Sequence, residues 1–236
     1  MSRLYRFDLA MAPGETVRVP ERQAHHLAHV LRVGVGARLV AVGLGERAFV
    51  VEVTSLDPLT VRVVEETTVG ADPAVALEVW VPLLKGGKSD DVVRQLVELG
   101  ASRIVPFQSA HAVVRLDGKK ASLRRERWQE IADLATQQCA RVRPVEVAAV
   151  SSLPEGGDAG VFFWEEPGPL ARDVLAEAAP SRILFGPEGG LAAREVEALR
   201  GMGWRSAWLG PRILKADTAT VAGAALALSA LGEGGY

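Results

Sequence analysis

From Leu77 onward, short apolar runs alternate with longer stretches of helical periodicity, and no other feature narrows the fold as far. The apolar runs cover residues 77–83, 103–107, 160–164, 183–185 and 206–209, and helical stretches are expected near 123–138, 169–178, 191–202 and 218–231. A further helix follows the first run: Ser89 can cap it, Val92, Val93, Leu96 and Val97 line one face, and Gly100 stops it. Strand-sized runs separated by helices predict an α/β fold with a mainly parallel sheet covered by helices. In such a sheet, ligands bind beyond the carboxyl ends of the strands.

Two glycine-punctuated segments fall at such ends. Phe185-Gly186-Pro187-Glu188-Gly189-Gly190 follows one apolar run, and Leu209-Gly210-Pro211-Arg212-Ile213-Leu214-Lys215 follows another. Glycine lets backbone N–H and C=O groups approach a ligand closely because no Cβ intervenes. Taken alone, the first segment also reads as a strand-to-helix turn with Glu188 near a helix N-terminus. Paired with the second and with the small-residue stretch from Ala216 to Ala227, it reads as a small-molecule site.

The chain before Leu77 is different. Strands expected at 16–19, 38–42, 48–53 and 59–65, punctuated by Gly34, Gly36, Gly43 and Gly45, predict a small β-rich domain. Its one helix, 20–31, starts at Pro20 and carries Leu27, Val30 and Leu31 at core-facing spacing. Gly70-Ala71-Asp72-Pro73 reads as a linker, which divides the chain into domains 1–72 and 73–236.

Composition removes several classes of function. With 236 residues, 48% of them hydrophobic, the chain can fill sizeable cores. No apolar run approaches the roughly 18–20 residues of a membrane span. Met1-Ser2-Arg3-Leu4-Tyr5-Arg6 has no apolar signal core behind it, so a cytoplasmic location and no membrane partner are expected. Cys139 is the single cysteine, which excludes an internal disulfide and a cysteine-built metal site. His25 and His29 stand at i, i+4, but no glutamate lies between them as a zinc protease requires and no third ligand is near, so no metal is expected. Gly86-Gly87-Lys88-Ser89 fails as a phosphate loop because Pro82 occupies the position of its first glycine, and Gly34-Val35-Gly36 fails as a dinucleotide fingerprint because Leu39 replaces the third.

The net charge is only −2, yet Arg115, Lys119, Lys120, Arg124, Arg125 and Arg127 cluster against Asp117 and Glu126. On a helix, Lys120, Arg124 and Arg127 share one stripe, which is either a solvated face or a phosphate-tracking surface.

The two glycine motifs, with Ala216-Asp217-Thr218-Ala219 after the second, resemble the paired signature of the RsmE family of SPOUT-class methyltransferases. Leu84-Lys85-Gly86-Gly87-Lys88-Ser89-Asp90 with Glu98-Leu99-Gly100, Gln137-Gln138-Cys139-Ala140-Arg141, and His26-Leu27-Ala28-His29-Val30-Leu31-Arg32 also follow the family's order, so the resemblance covers nearly the whole chain. It implies S-adenosylmethionine-dependent methylation of a uridine N3 in the decoding region of 16S rRNA, acting on the 30S subunit. It further implies a C-terminal trefoil knot formed by 209–231, a homodimer packed through the C-terminal helices, and a PUA-like N-terminal RNA-binding barrel.

On this resemblance the cofactor pocket comprises Leu184, Phe185, Gly186, Gly190, Leu209, Gly210, Ile213, Leu214 and Thr218. Arg212 is the first candidate and Lys215 the second for stabilising charge on the acceptor; Asp217 either accepts the proton or holds one of these cations. RNA contacts are assigned to Arg3, Arg6, Arg22, Arg32, Lys120, Arg124, Arg127, Gln138 and Arg141. Three positions depart from the family pattern: Asp217 replaces a longer glutamate, Lys215 an arginine, and Gln137 a glutamate. Two other readings stay open, a SPOUT enzyme of different specificity, such as tRNA ribose 2′-O methylation, and a non-catalytic RNA-binding assembly factor.

Overall fold

The computed structural model describes residues 4–68 and 72–233. Its contacts divide the chain into two units: the chain to Asp72 with Thr136–Pro144, and Pro73–Ala135 with the chain from Val145 onward.

In the first unit, alternation of buried and exposed residues builds a five-stranded sheet. Its strands are β1 (Leu4–Arg6), β2 (Thr16–Arg18), β3 (Arg38–Val42), β4 (Ala48–Leu56) and β5 (Leu59–Thr67), in the order β1-β3-β4-β5-β2. β1 runs parallel to β3 and the other pairings are antiparallel. Phe7, Leu27, Phe49, Val51, Val61 and Val63 fill the core. The expected single helix is instead a short α-helix, α1 (Glu21–His25), running into a π-helix over His26–Val30. The wider turn, closed by Leu31 N–H donating to the His26 carbonyl at 3.1 Å, shifts the helical phase. Leu27 therefore stays buried, while Val30, expected in the core, is 61% exposed.

The second unit contains the parallel sheet. β6 (Glu78–Pro82), β7 (Arg103–Phe107), β8 (Glu146–Val147), β9 (Val161–Phe163), β10 (Arg182–Phe185) and β11 (Arg205–Ala207) lie in the order β11-β9-β10-β6-β7-β8. Every pairing of this sheet among the described residues is parallel. The helices between are α2 (Lys88–Leu99), α3 (Gly118–Gln138), α4 (Ala171–Ala178), α5 (Ala193–Gly201) and α6 (Ala216–Ala230). Central strands lack polar alternation because both faces are covered. Phe107, Phe162 and Leu184 are fully buried, each contributing about 1.5–3 kcal/mol by leaving water. α6 packs on α2, α4 and the strands β6 and β10.

Ser89 does not cap α2. Gly87 stands at the N-cap, and the Ser89 hydroxyl, already inside the helix, accepts the Leu84 N–H at 3.1 Å.

At the amino ends of the strands, register aligns Arg182, Glu78, Arg103 and Glu146 across four neighbours in alternating sign. Glu78 accepts hydrogen bonds from Arg182 (2.8 Å), Arg103 (2.5 Å) and the Trp80 indole (2.6 Å). Burial pushes its carboxyl up, but these three donors outweigh it and hold Glu78 below the usual carboxylate range. A depressed carboxylate stabilises the fold above its unfolded pKa, and that contribution is lost as pH falls through the folded value. Glu78→Gln is therefore expected to cost about 2 kcal/mol near neutrality and to flatten the acid limb of a plot of thermal midpoint against pH. An unchanged acid limb in the variant would refute this role.

Candidate active site

Beyond the carboxyl ends of β9, β10 and β11, three loops enclose a cavity of about 580 Å³. Residues 186–190 form one wall and 208–215 another, as the glycine pattern predicts. The third wall, Trp164, Glu165 and Pro167 after β9, carries no motif signal and was missed in the sequence. Because β9 lies between β10 and β11 in the sheet, its loop stands between the two glycine loops.

The floor is apolar. Phe163 and Phe185 stack with ring centroids 4.4 Å apart and planes 9° from parallel. Gly223 of α6 backs them: a Cβ there would stand 2.7 Å from Phe185 Cζ and 3.1 Å from Phe163 Cε1. The small residues of α6 thus set how deep the cavity floor can lie.

The loops require glycine at two points. Gly190 has φ +71° and Gly210 φ +108°, a region side chains rarely adopt. At Gly190 the space is also taken, since a Cβ would overlap the Glu165 carboxylate.

Hydrogen bonds fix the first loop from outside. The His111 Nδ1–H donates to the Gly189 carbonyl at 3.0 Å. Glu195, buried in the first turn of α5, accepts the Ala110 and Ala192 N–H groups, each at 2.8 Å. These anchors depend on tertiary approach of distant segments and left no sequence signal.

Among the expected cofactor residues, Phe185, Gly186, Gly190, Leu209, Gly210, Ile213 and Leu214 line the cavity. Leu184 is fully buried in the sheet core instead, and Thr218 lies on α6 outside the wall. Arg212 and Lys215 line the cavity, are exposed, and make no ion pair among the described residues.

Asp217 is engaged differently from expectation. Its carboxylate meets Lys88 Nζ at 3.2 Å, rather than Arg212 or Lys215. Burial raises the Asp217 pKa, but the Lys88 hydrogen bond, together with local backbone N–H groups, holds it below the usual carboxylate range. The pair ties the start of α2 to the start of α6, which explains why residues of two separate motifs belong together. Asp90 likewise serves structure, accepting Arg127 at 2.6 Å and the Trp128 indole at 3.0 Å.

The residues assigned to RNA separate by environment. Lys120 is exposed and Arg124 half-buried on α3, whereas Arg127 of the same stripe is paired with Asp90. In the first unit, Arg22, Arg32 and Gln138 are exposed, and Arg6 donates to the Val142 carbonyl and lies 3.6 Å from Asp8. Arg141 is buried, its side chain 3% exposed and 3.5 Å from Asp72, so its guanidinium does not face solvent. Arg3 lies outside the described residues. Among the described residues, no three metal-ligating side chains gather, and no helix is long and apolar enough to cross a membrane.

Known proteins resemble this chain in sequence and in fold. Residues 71–228 match the family described as RNA methyltransferase domain. The chain is 31% identical to ribosomal RNA small subunit methyltransferase E of Bacillus subtilis over 220 residues, covering 86% of each chain. It is also 31% identical to the protein of the same name from Mycobacterium bovis over 247 residues, covering 98% of this chain and 92% of that one. The crystal structure of a ribosomal RNA small subunit methyltransferase E from Neisseria gonorrhoeae bound to S-adenosyl methionine has the same fold, with a TM-score of 0.87 at 24% identity over 97% of this chain and 98% of that one.

Proposed function

Because the chain belongs to the ribosomal RNA small subunit methyltransferase E family, we propose that it transfers a methyl group from S-adenosylmethionine to N3 of a uridine in the decoding region of 16S rRNA. The observation that carries this reading is the cavity itself: an apolar floor, two loops that turn at glycine, and cations at its wall that make no ion pair among the described residues.

The residues present suit the donor. A volume of about 580 Å³ is of the size small-molecule pockets have. Phe185, Leu209, Ile213 and Leu214 would hold the adenosine, with backbone groups of the 186–190 and 209–215 loops reading its edges. When bound, the donor supplies an activated methyl on a sulfonium, so the reaction needs no metal. The protein must align the acceptor nitrogen and stabilise the charge that spreads onto the flanking carbonyl oxygens as N3 loses its proton. Arg212 is placed first for that task and Lys215 second. Asp217 orients Lys88 and the entry of α6.

The same reading takes the first unit as a PUA-like RNA-binding barrel, the segment 209–231 as threaded through a knot, and the working enzyme as a cytoplasmic homodimer packed through its C-terminal helices. Leu226, 42% exposed on α6, is a residue such packing would cover.

RNA orientation falls to Arg22 and Arg32 and to Lys120 and Arg124. Lys120→Ala combined with Arg124→Ala should weaken RNA binding and reduce the slope of log affinity against log salt by about 1–2. A parental slope would remove the α3 stripe from the interface.

The function is tested by offering labelled S-adenosylmethionine with naked 16S rRNA, with 30S subunits or with tRNA. Label in 16S rRNA, free or assembled, supports the proposal, and label in tRNA alone contradicts it.

A further inference from the structure

Methylation at N3 requires a proton acceptor, and Asp217 is poorly suited to be one. It is tied to Lys88 at 3.2 Å, lies outside the cavity wall, and is held below the usual carboxylate range, which weakens it as a base. The cavity wall does contain carboxylates, Glu165 and Glu188.

Glu165 is distinguished by position. It follows β9, the strand between β10 and β11, and so stands between both glycine loops. Its carboxylate lies against the backbone of Gly190, with Cδ 3.1 Å from where a Cβ would be. Any side chain at Gly190 would displace it, so the glycine keeps the place of this carboxylate as well as the loop's φ of +71°.

Glu165 forms no hydrogen bond or ion pair among the described residues, although Arg212 and Lys215 line the same cavity. Its structural contribution is therefore small, and its charge is available to a ligand. Glu165 is also exposed, whereas Phe163 and Phe185 beneath are buried. The carboxylate thus stands on the solvent side of the cavity, which an entering RNA base would reach before the apolar floor.

From this geometry we propose that Glu165 is the general base that removes the uridine N3 proton, an inference that rests on the function proposed above. Glu165 takes the proton as the N3 lone pair forms the new N–C bond and the sulfonium C–S bond breaks. The products are the methylated base, the neutral thioether and a protonated Glu165, which returns its proton to water. Arg212 meanwhile faces the charge on the base's carbonyl oxygens. A carboxylate and a guanidinium that share a cavity without pairing suit an acceptor that gives up a proton at one atom and gathers charge at its neighbours.

The test is Glu165→Gln in the full-length protein. Single-turnover methyl transfer to 16S rRNA is expected to fall about 10²–10⁴-fold. S-adenosylmethionine affinity by calorimetry and RNA affinity by filter binding should stay near parental values. Transfer by the variant should rise about tenfold per pH unit on the alkaline side, as the acceptor ionises without help. RNA carrying 5-fluorouridine, whose N3–H is more acidic, should recover activity in the variant far more than in the parent. Parental turnover in Glu165→Gln overturns the proposal, as does a loss that tracks weakened donor binding or is not relieved by 5-fluorouridine. The underlying reading fails separately, if the parent protein itself makes no 3-methyluridine.

Discussion

Arg212→Ala is expected to lower methyl transfer by about 10²–10³-fold while S-adenosylmethionine still binds. Arg212 lines the cavity and makes no ion pair among the described residues, so its removal leaves no buried partner unsatisfied and the fold should hold. The loss falls on turnover because the charge it meets exists only as the acceptor's proton leaves. A planar guanidinium can face a carbonyl oxygen through a fixed fork, which an ammonium cannot reproduce, so Arg212→Lys should recover only part of the rate. Parental turnover in Arg212→Ala would remove Arg212 from the mechanism and leave Lys215 as the cation to examine.

Gly223→Ala should destabilise the protein although it improves the helix. Exchanging an interior helical glycine for alanine ordinarily gains about 0.5–1 kcal/mol. Here the new methyl would stand 2.7 Å from Phe185 Cζ and 3.1 Å from Phe163 Cε1. Both rings are buried and stacked on each other, so they can give way only together and only into the cavity whose floor they form. Overpacking costs about 1–3 kcal/mol, which outweighs the propensity gain. The expected net loss is about 1–2 kcal/mol in urea unfolding, with weaker donor binding because the displaced rings are the cavity floor. Gly223→Val, with a larger side chain, should lose more. A variant as stable as the parent, with unchanged donor affinity, would show that the floor is not set by α6.

The pattern from Leu77 onward was enough for the parallel sheet, because strands buried on both faces appear as unbroken apolar runs such as Val79–Val81 and Val161–Phe163. β1 and β8, three and two residues long, are too short for any period to register. The π-helix at His26–Val30 escaped because its wider turn breaks the 3.6-residue phase that placed Val30 inside.

At the site, the glycine loops were legible since close approach demands particular residues at particular places. Glu165 was not, for a single acidic residue carries no spacing, and the motif that holds Lys88 gave no sign of its partner Asp217. What gives them meaning is the adjacency of β9 to both glycine loops and the approach of α2 to α6. Arg141 illustrates the converse error, where a charge assigned to RNA is spent on Asp72 within the fold.

The most direct measurement is mass spectrometry of the nucleosides released after the protein has acted on unmodified 30S subunits and on 16S rRNA with S-adenosylmethionine. The account predicts 3-methyluridine from a single site. A ribose-methylated nucleoside, or no transfer while the donor binds normally, would contradict it.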